Sequence, residues 1–206
     1  LYITPVNGID TAEVRVSGGT YSAACAVSPT PIYIADIKEG ISLYGGYNVD
    51  FTSRNTITNT STIIDSSTNA TNSNASNPVR AVNCDSSAIT AMTRIDGFTI
   101  TPGEQGADGN IHCSIALING ASPTIYDVSI TGRGITERSN TTYGMFLSSS
   151  SAIIQNCSIQ PTATDYSYAV YTINGASTPT IKECTINGGE AKYTVGLRLM
   201  TGVDAT

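Results

Sequence analysis

Short runs with apolar residues two apart recur along this chain, and the runs repeat at a nearly fixed interval. Four segments superimpose: Arg94-Ile95-Asp96-Gly97-Phe98-Thr99-Ile100, Thr124-Ile125-Tyr126-Asp127-Val128-Ser129-Ile130, Ile153-Ile154-Gln155-Asn156-Cys157-Ser158-Ile159 and Thr180-Ile181-Lys182-Glu183-Cys184-Thr185-Ile186. Their isoleucines at 95, 125, 154 and 181 stand 30, 29 and 27 residues apart. A second series, Ile115-Ala116-Leu117, Met145-Phe146-Leu147, Tyr171-Thr172-Ile173 and Leu197-Arg198-Leu199, follows with spacings of 30, 26 and 26. Alternation of this kind predicts two short strands per repeat, each with one buried and one polar face. No Asn-Gly or Asp-Gly loop joins two equal alternating runs, so a hairpin is disfavoured. Winding the chain as a coil instead stacks equivalent strands in parallel about 4.8 Å apart, with like side chains in ladders. Asn119 and Asn174, each in an Ile-Asn-Gly turn, are then candidates for a turn ladder of stacked amides.

Composition agrees. Ser, Thr and Asn make up about a third of the 206 residues and tryptophan is absent, which favours strands and turns over helices. A net charge of −6 with only ten Lys plus Arg argues against nucleic acid as a partner, because that affinity rests on clustered cations. No run approaches the roughly 20 apolar residues of a membrane-spanning helix.

Several of these segments resemble the repeats of right-handed parallel β-helix proteins of the pectin-lyase-like superfamily. Those that carry the likeness are Ile95-Asp96-Gly97-Phe98-Thr99-Ile100-Thr101 and Ala121-Ser122-Pro123-Thr124-Ile125-Tyr126-Asp127-Val128-Ser129-Ile130-Thr131-Gly132. The N-terminal Val14-Arg15-Val16-Ser17-Gly18-Gly19-Thr20-Tyr21 and Ile41-Ser42-Leu43-Tyr44-Gly45-Gly46-Tyr47-Asn48, followed by Phe51 and Arg54, resemble the opening coils of large bacterial secreted and surface β-helix proteins. The resemblance covers nearly all of residues 1–206 and implies an all-β, right-handed, single-stranded parallel β-helix with a secreted or cell-surface location. It specifies fold and not chemistry, since the family holds polysaccharide lyases, glycoside hydrolases, adhesins and proteins without assigned activity. The Asn/Ser/Thr-rich stretch 66–77 reads as a flexible insertion. Leu197-Arg198-Leu199 starts a coil that Thr206 leaves unfinished, so the 206 residues are expected to be part of a longer chain.

Candidate chemistry collects on the connections that follow the isoleucine strands, which recur at one place in the repeat and so share one edge. They carry Glu104, Asp108 and His112; Arg133, Glu137 and Arg138; Asp165 and Tyr166; and Glu190 and Lys192. Tyr143, Tyr168 and Tyr193 lie 25 residues apart, which predicts a line of rings along the axis. Rings flanked by carboxylates are what a sugar chain needs, because pyranose faces stack while hydroxyls take directed hydrogen bonds. Tyr143, Tyr168, Tyr193, Asp165 and Glu190 are therefore the carbohydrate-binding candidates, for a polysaccharide or a cell-surface glycan. The competing structural reading has the same tyrosines covering apolar coil edges. On the glycan reading, Tyr168→Ala should leave the melting temperature within a few degrees.

Enzyme readings are less well supported. A lyase would need a carboxylate cluster for calcium beside a cation; Asp96 and Asp127 fall on successive coils and Arg94 and Lys182 are outward, but no third carboxylate completes a cage. A glycoside hydrolase would need two converging carboxylates, for which Asp108, Glu137, Asp165 and Glu190 are available. His112 is the only histidine and reads as solvated; Ser148 to Ser151 lack any GxSxG context and read as an outward turn. Sequons at Asn59, Asn69, Asn74, Asn140 and Asn156 matter only in a eukaryotic secretory route. The cysteines, Cys25, Cys84, Cys113, Cys157 and Cys184, form no CxxC pair and read as buried thiols, with a Cys84 to Cys113 bridge left open. Threonines at two-residue spacing do not recur repeat after repeat in the sequence alignment, so an ice-binding face is not expected. The resulting expectation is a non-catalytic extracellular scaffold that contacts glycan, without cofactor or metal, with a polysaccharide lyase or hydrolase as the alternative.

Overall fold

The computed structural model describes residues 2–5, 12–22, 32–64, 79–101, 113–132, 141–163, 165–173 and 177–200. They form a parallel β-solenoid of about five turns, with no helix among them. The predicted flexible segment 66–77 and residues Cys25, Glu104, Asp108, His112, Arg133, Glu137, Arg138 and Asn174 lie outside the described residues.

Each turn holds three strands, not two, and contributes one to each of three sheets. The first sheet stacks Ala12–Ser17, Ile41–Tyr47, Arg94–Asp96, Thr124–Tyr126, Ile153–Gln155 and Thr180–Lys182, with Tyr2–Pro5 added antiparallel at its N-terminal edge. The second stacks Gly19–Ser22, Ser61–Ile64, Phe98–Thr101, Ser129–Thr131, Ser158–Gln160 and Thr185–Ile186. The third stacks Ile32–Ile37, Val79–Asp85, Cys113–Ile118, Thr141–Ser148, Tyr166–Ile173 and Tyr193–Leu199.

The extra strand arises at a corner inside each isoleucine segment. Gly97, Asp127, Asn156 and Glu183 adopt φ of 76°, 51°, 56° and 53°, left-handed values that break the run into two strands. A single strand would send Ile95 and Ile100, five apart, to opposite faces. The corner restores both to the interior, where each is fully buried. The corner residues are tied to one another and to a neighbouring loop: Asn156 Nδ2 donates to Asp127 Oδ1 at 3.2 Å, and Thr56 Oγ1 to Asp127 Oδ2 at 2.8 Å. At Gly97 a Cβ would run into the Arg54 guanidinium and the Thr56 methyl, so the corner that faces this loop excludes a side chain. The turn leading back to the first sheet is built likewise, with Asn119 at φ 54° and Ser149 at φ 56°. Asn119 Nδ2 donates to Asp85 Oδ1 on the preceding turn at 2.6 Å.

Three sets of ladders fill the interior. Leu43, Ile95, Ile125, Ile154 and Ile181 pair in register in the first sheet, and Ile100, Ile130, Ile159 and Ile186 in the second. In the third, the inward rows are Val82, Ile115, Met145, Val170 and Leu197, and Cys84, Leu117, Leu147, Thr172 and Leu199. The expected alignment of Tyr171-Thr172-Ile173 with Met145-Phe146-Leu147 is therefore off by one residue. A one-residue slip exchanges faces; Val170 and Thr172 point inward, and Tyr171 and Ile173 point out.

Cys84 belongs to the inner core and Cys113 to a cluster on the outer side of the third sheet. In register Cys113 sits opposite Arg80 and Cys84 opposite Leu117, and the two cysteines belong to separate clusters on either side of the sheet, so they do not bridge each other. Cys157 lies in the inner core with Cys184 packed against it. Burial pushes the Cys157 thiol up to about 12 and that of Cys84 higher still. Since alkylation requires the thiolate, both should resist iodoacetamide at pH 8 in the native protein and react on unfolding in guanidinium. Peptide mass mapping reads this directly, and rapid native labelling of Cys84 would contradict its interior position.

Candidate functional site: the aromatic edge of the third sheet

The strands of the third sheet bend where two consecutive residues both face inward. Ala169 and Val170 both belong to the core, and a Cβ on Gly144 would meet the Ala169 carbonyl and the Ile159 side chain. The small residue at this place lets the chain turn its next side chain in as well. In consequence residues three apart, Tyr143 and Phe146, then Tyr168 and Tyr171, project together from the outer face.

These side chains form a continuous aromatic array. Tyr143 pairs in register with Tyr168, their rings stacked at 5.3 Å, and Phe146 stacks on Tyr171 at 5.8 Å. Edge contacts between Tyr143 and Tyr171 at 5.0 Å and between Tyr168 and Tyr171 at 5.3 Å join the two rows. The next turn is two residues longer, so Tyr168 faces Val195, and Tyr193 faces Tyr166 instead. The predicted line from Tyr143 through Tyr168 to Tyr193 thus steps sideways, and Tyr166 supplies the step. It stacks 6.4 Å from Tyr168 and 4.9 Å from Tyr193.

Exposure divides the array. Phe146 is 3% exposed and Tyr168 8%, whereas Tyr166 and Tyr193 are 42% and 49% exposed. Cys113, Ala116 and Phe146, with Tyr143, Tyr171, Ile118 and Ile173 against them, make a second apolar cluster outside the solenoid wall. Burial, together with the neighbouring phenols of Tyr171 and Tyr168, pushes the Tyr143 hydroxyl above the ordinary tyrosine range. Arg198 closes the array: its guanidinium lies 5.4 Å from the centroids of both Tyr168 and Tyr171, and Nη1 donates to the Tyr168 hydroxyl at 2.9 Å. Lys192 lies 5.2 Å from the Tyr193 ring. Beside the exposed pair, the Asp165 carbonyl accepts from Tyr193 N–H at 2.7 Å, and that of Glu190 from Ala163 N–H at 3.0 Å. Asp165 is half-buried and Glu190 exposed.

The carboxylates of the first sheet are engaged elsewhere. Asp96 is 2% exposed and is bonded by Arg54 through Oδ1 and by Arg94 Nε through Oδ2 at 2.7 Å. Arg94 in turn lies 4.2 Å over the ring of Tyr126. Asp96 shares a register row with Tyr126 and Lys182 lies across from Gln155, while Arg94 lies across from Thr124. Asp96 and Asp127 thus occupy a strand and a corner, and Arg94 and Lys182 different rows. No group of three His, Cys, Asp or Glu side chains suited to a metal converges among the described residues. No helix among them is long and apolar enough to cross a membrane.

Phe146, Tyr171 and Arg198 were not among the residues anticipated for this edge, and Tyr166 was anticipated on it but not among the carbohydrate-binding candidates. The repeated spacing Tyr143-x-x-Phe146 and Tyr168-x-x-Tyr171 carried the signal, but it reads as ordinary alternation until the bend is known. Compared with protein families, curated proteins and solved structures, the chain gives no match.

Proposed function

We propose that this chain is a non-catalytic β-helix scaffold of the right-handed, pectin-lyase-like kind, displayed outside a bacterial cell, which contacts glycan at the C-terminal end of the aromatic edge. The observation that carries the reading is the exposed, stacked pair Tyr166 and Tyr193, which continues an aromatic array whose Phe146 and Tyr168 are buried, with Lys192 against the Tyr193 ring and Asp165 bonded through its carbonyl to Tyr193 N–H. The buried rings fix the position of the exposed ones at little entropic cost on binding. The outward phenols and neighbouring charged groups supply directed hydrogen bonds, and the exposed tyrosine rings supply apolar surface. The scaffold character is supported by Asp96 and Asp127, whose carboxylates hold the wall together.

Titration against a panel of neutral and acidic polysaccharides tests the binding. Tyr193→Ala and Tyr166→Ala should weaken it by about tenfold or more while the melting temperature stays within a few degrees, since neither ring is buried. Equal affinity in wild type and both variants would remove the edge from the reading. Mass spectrometry of the same mixtures after long incubation, with and without calcium, separates binding from cleavage: released oligosaccharides would make the chain an enzyme.

A further inference from the structure

The second sheet presents a face of a different character. Its register places Thr20, Thr62, Thr99, Ser129, Ser158 and Thr185 in one unbroken row, a hydroxyl residue on every turn. The sequence alignment concealed this, because the repeats before Arg94 differ in length and Thr alternates with Ser. Two residues along each strand a second, mixed row runs beside it, Ser22, Ile64, Thr101, Thr131 and Gln160, in which Thr101 and Thr131 share a hydrogen bond at 3.2 Å. The alternate residues Ile100, Ile130 and Ile159 are buried, so Thr99, Ser129 and Ser158 and, beside them, Thr101, Thr131 and Gln160 face outward. Thr20, Thr131, Ser158, Gln160 and Thr185 are exposed, and Thr99, Thr101 and Ser129 are half-exposed.

Charge is excluded from this sheet and only from this sheet. None of its six strands contains Asp, Glu, Lys or Arg. The strands of the other two sheets carry Glu13, Arg15, Arg94, Asp96 and Lys182, and Asp36, Arg80, Asp85 and Arg198. No aromatic ring stands in either outward row, so the face lacks the platform on which a sugar stacks. What it offers is a rigid, neutral face on which one unbroken row of hydroxyl residues runs beside an uncharged row that carries Thr101, Thr131 and Gln160. Neighbouring rungs are about 4.8 Å apart and the two rows about 6.6 Å apart, as strand geometry dictates.

We propose that this face binds ice. Those two repeats lie near the two oxygen repeats on a prism face of hexagonal ice. Hydroxyls held on fixed rungs can anchor waters at lattice positions, and the threonine methyls leave neighbouring waters to one another. A charged side chain would orient its own hydration shell out of the lattice, and the strands lack one. The neutral hydroxyl array is thus complementary to an uncharged lattice of donors and acceptors and to nothing strongly charged. This inference concerns a surface separate from the aromatic edge and does not depend on glycan binding there.

Nanolitre osmometry of the purified chain tests it. The expected result is faceted ice crystals and a freezing point below the melting point, neither given by serum albumin at equal mass concentration. Thr99→Lys and Ser129→Lys, in the middle of the row, should remove most of that gap with melting temperatures within a few degrees of wild type. Gln155→Lys, an added charge on the first sheet, should keep it. Rounded crystals and no gap for the wild type overturn the proposal, as does equal loss in Gln155→Lys. Sedimentation with powdered cellulose or chitin, abolished by Thr99→Lys in a protein that leaves ice unaltered, would also overturn it and assign the face to a neutral polysaccharide.

Discussion

Ile125→Asp should abolish cooperative unfolding of this protein. Ile125 is fully buried and stands mid-ladder between Ile95 and Ile154. The substitution removes a side chain whose burial contributes about 1.5 to 3 kcal/mol and leaves a carboxylate with no partner, in a core lined by apolar residues. The effective penalty for an unpaired buried ion is several kcal/mol, and the whole stability of a domain is about 5 to 15 kcal/mol. In a solenoid the damage also propagates, because each turn is stabilised by the turns against it. Calorimetry or far-UV circular dichroism across a temperature ramp should show a broad, non-cooperative change, and an unaltered sharp transition would refute the first-sheet register.

The second large effect reverses an expectation drawn from the sequence. With its ring 8% exposed, stacked on Tyr143 and covered by Arg198, Tyr168 is a packing residue. Truncation of a buried aromatic costs about 3 to 5 kcal/mol. For a chain of this size each kcal/mol shifts the midpoint by roughly 2 to 4 °C, so Tyr168→Ala and Phe146→Ala should each lower it by roughly 6 to 20 °C. Tyr193→Ala should lower it by a few degrees at most. Hydrogen exchange should show the loss first in the third-sheet strands Thr141–Ser148 and Tyr166–Ile173, which carry most of the second apolar cluster. If Tyr168→Ala melted with Tyr193→Ala, the outer cluster would be a surface decoration and not a second core.

The anticipated row of Tyr143, Tyr168 and Tyr193 shows how far spacing carries and where it stops. A spacing of 25 places Tyr168 beside Tyr143, because that turn has 25 residues in this sheet. The following turn has 27, and the same count places Tyr193 beside Tyr166. Coil length is set by the connections between strands, and connections vary where backbone does not have to pair. Asp96 is similar: its sequence context shows a carboxylate next to a glycine, but Arg54, 42 residues away, occupies it only after the chain has wound.

The apolar alternation alone determined that the chain is all-β, that its strands stack in parallel from turn to turn, and that Ile95, Ile125, Ile154 and Ile181 form an interior ladder. Those features rest on a period of two within strands and near thirty between them, and both are written in the order of residues. Tertiary structure alone decided the number of strands per turn, which side of the third sheet Tyr171 faces, and the alignment of six hydroxyl residues across the second sheet. Each depends on one backbone bend or one loop length, and a single residue gained or lost there exchanges inside for outside while leaving the hydrophobic pattern of the sequence almost unchanged.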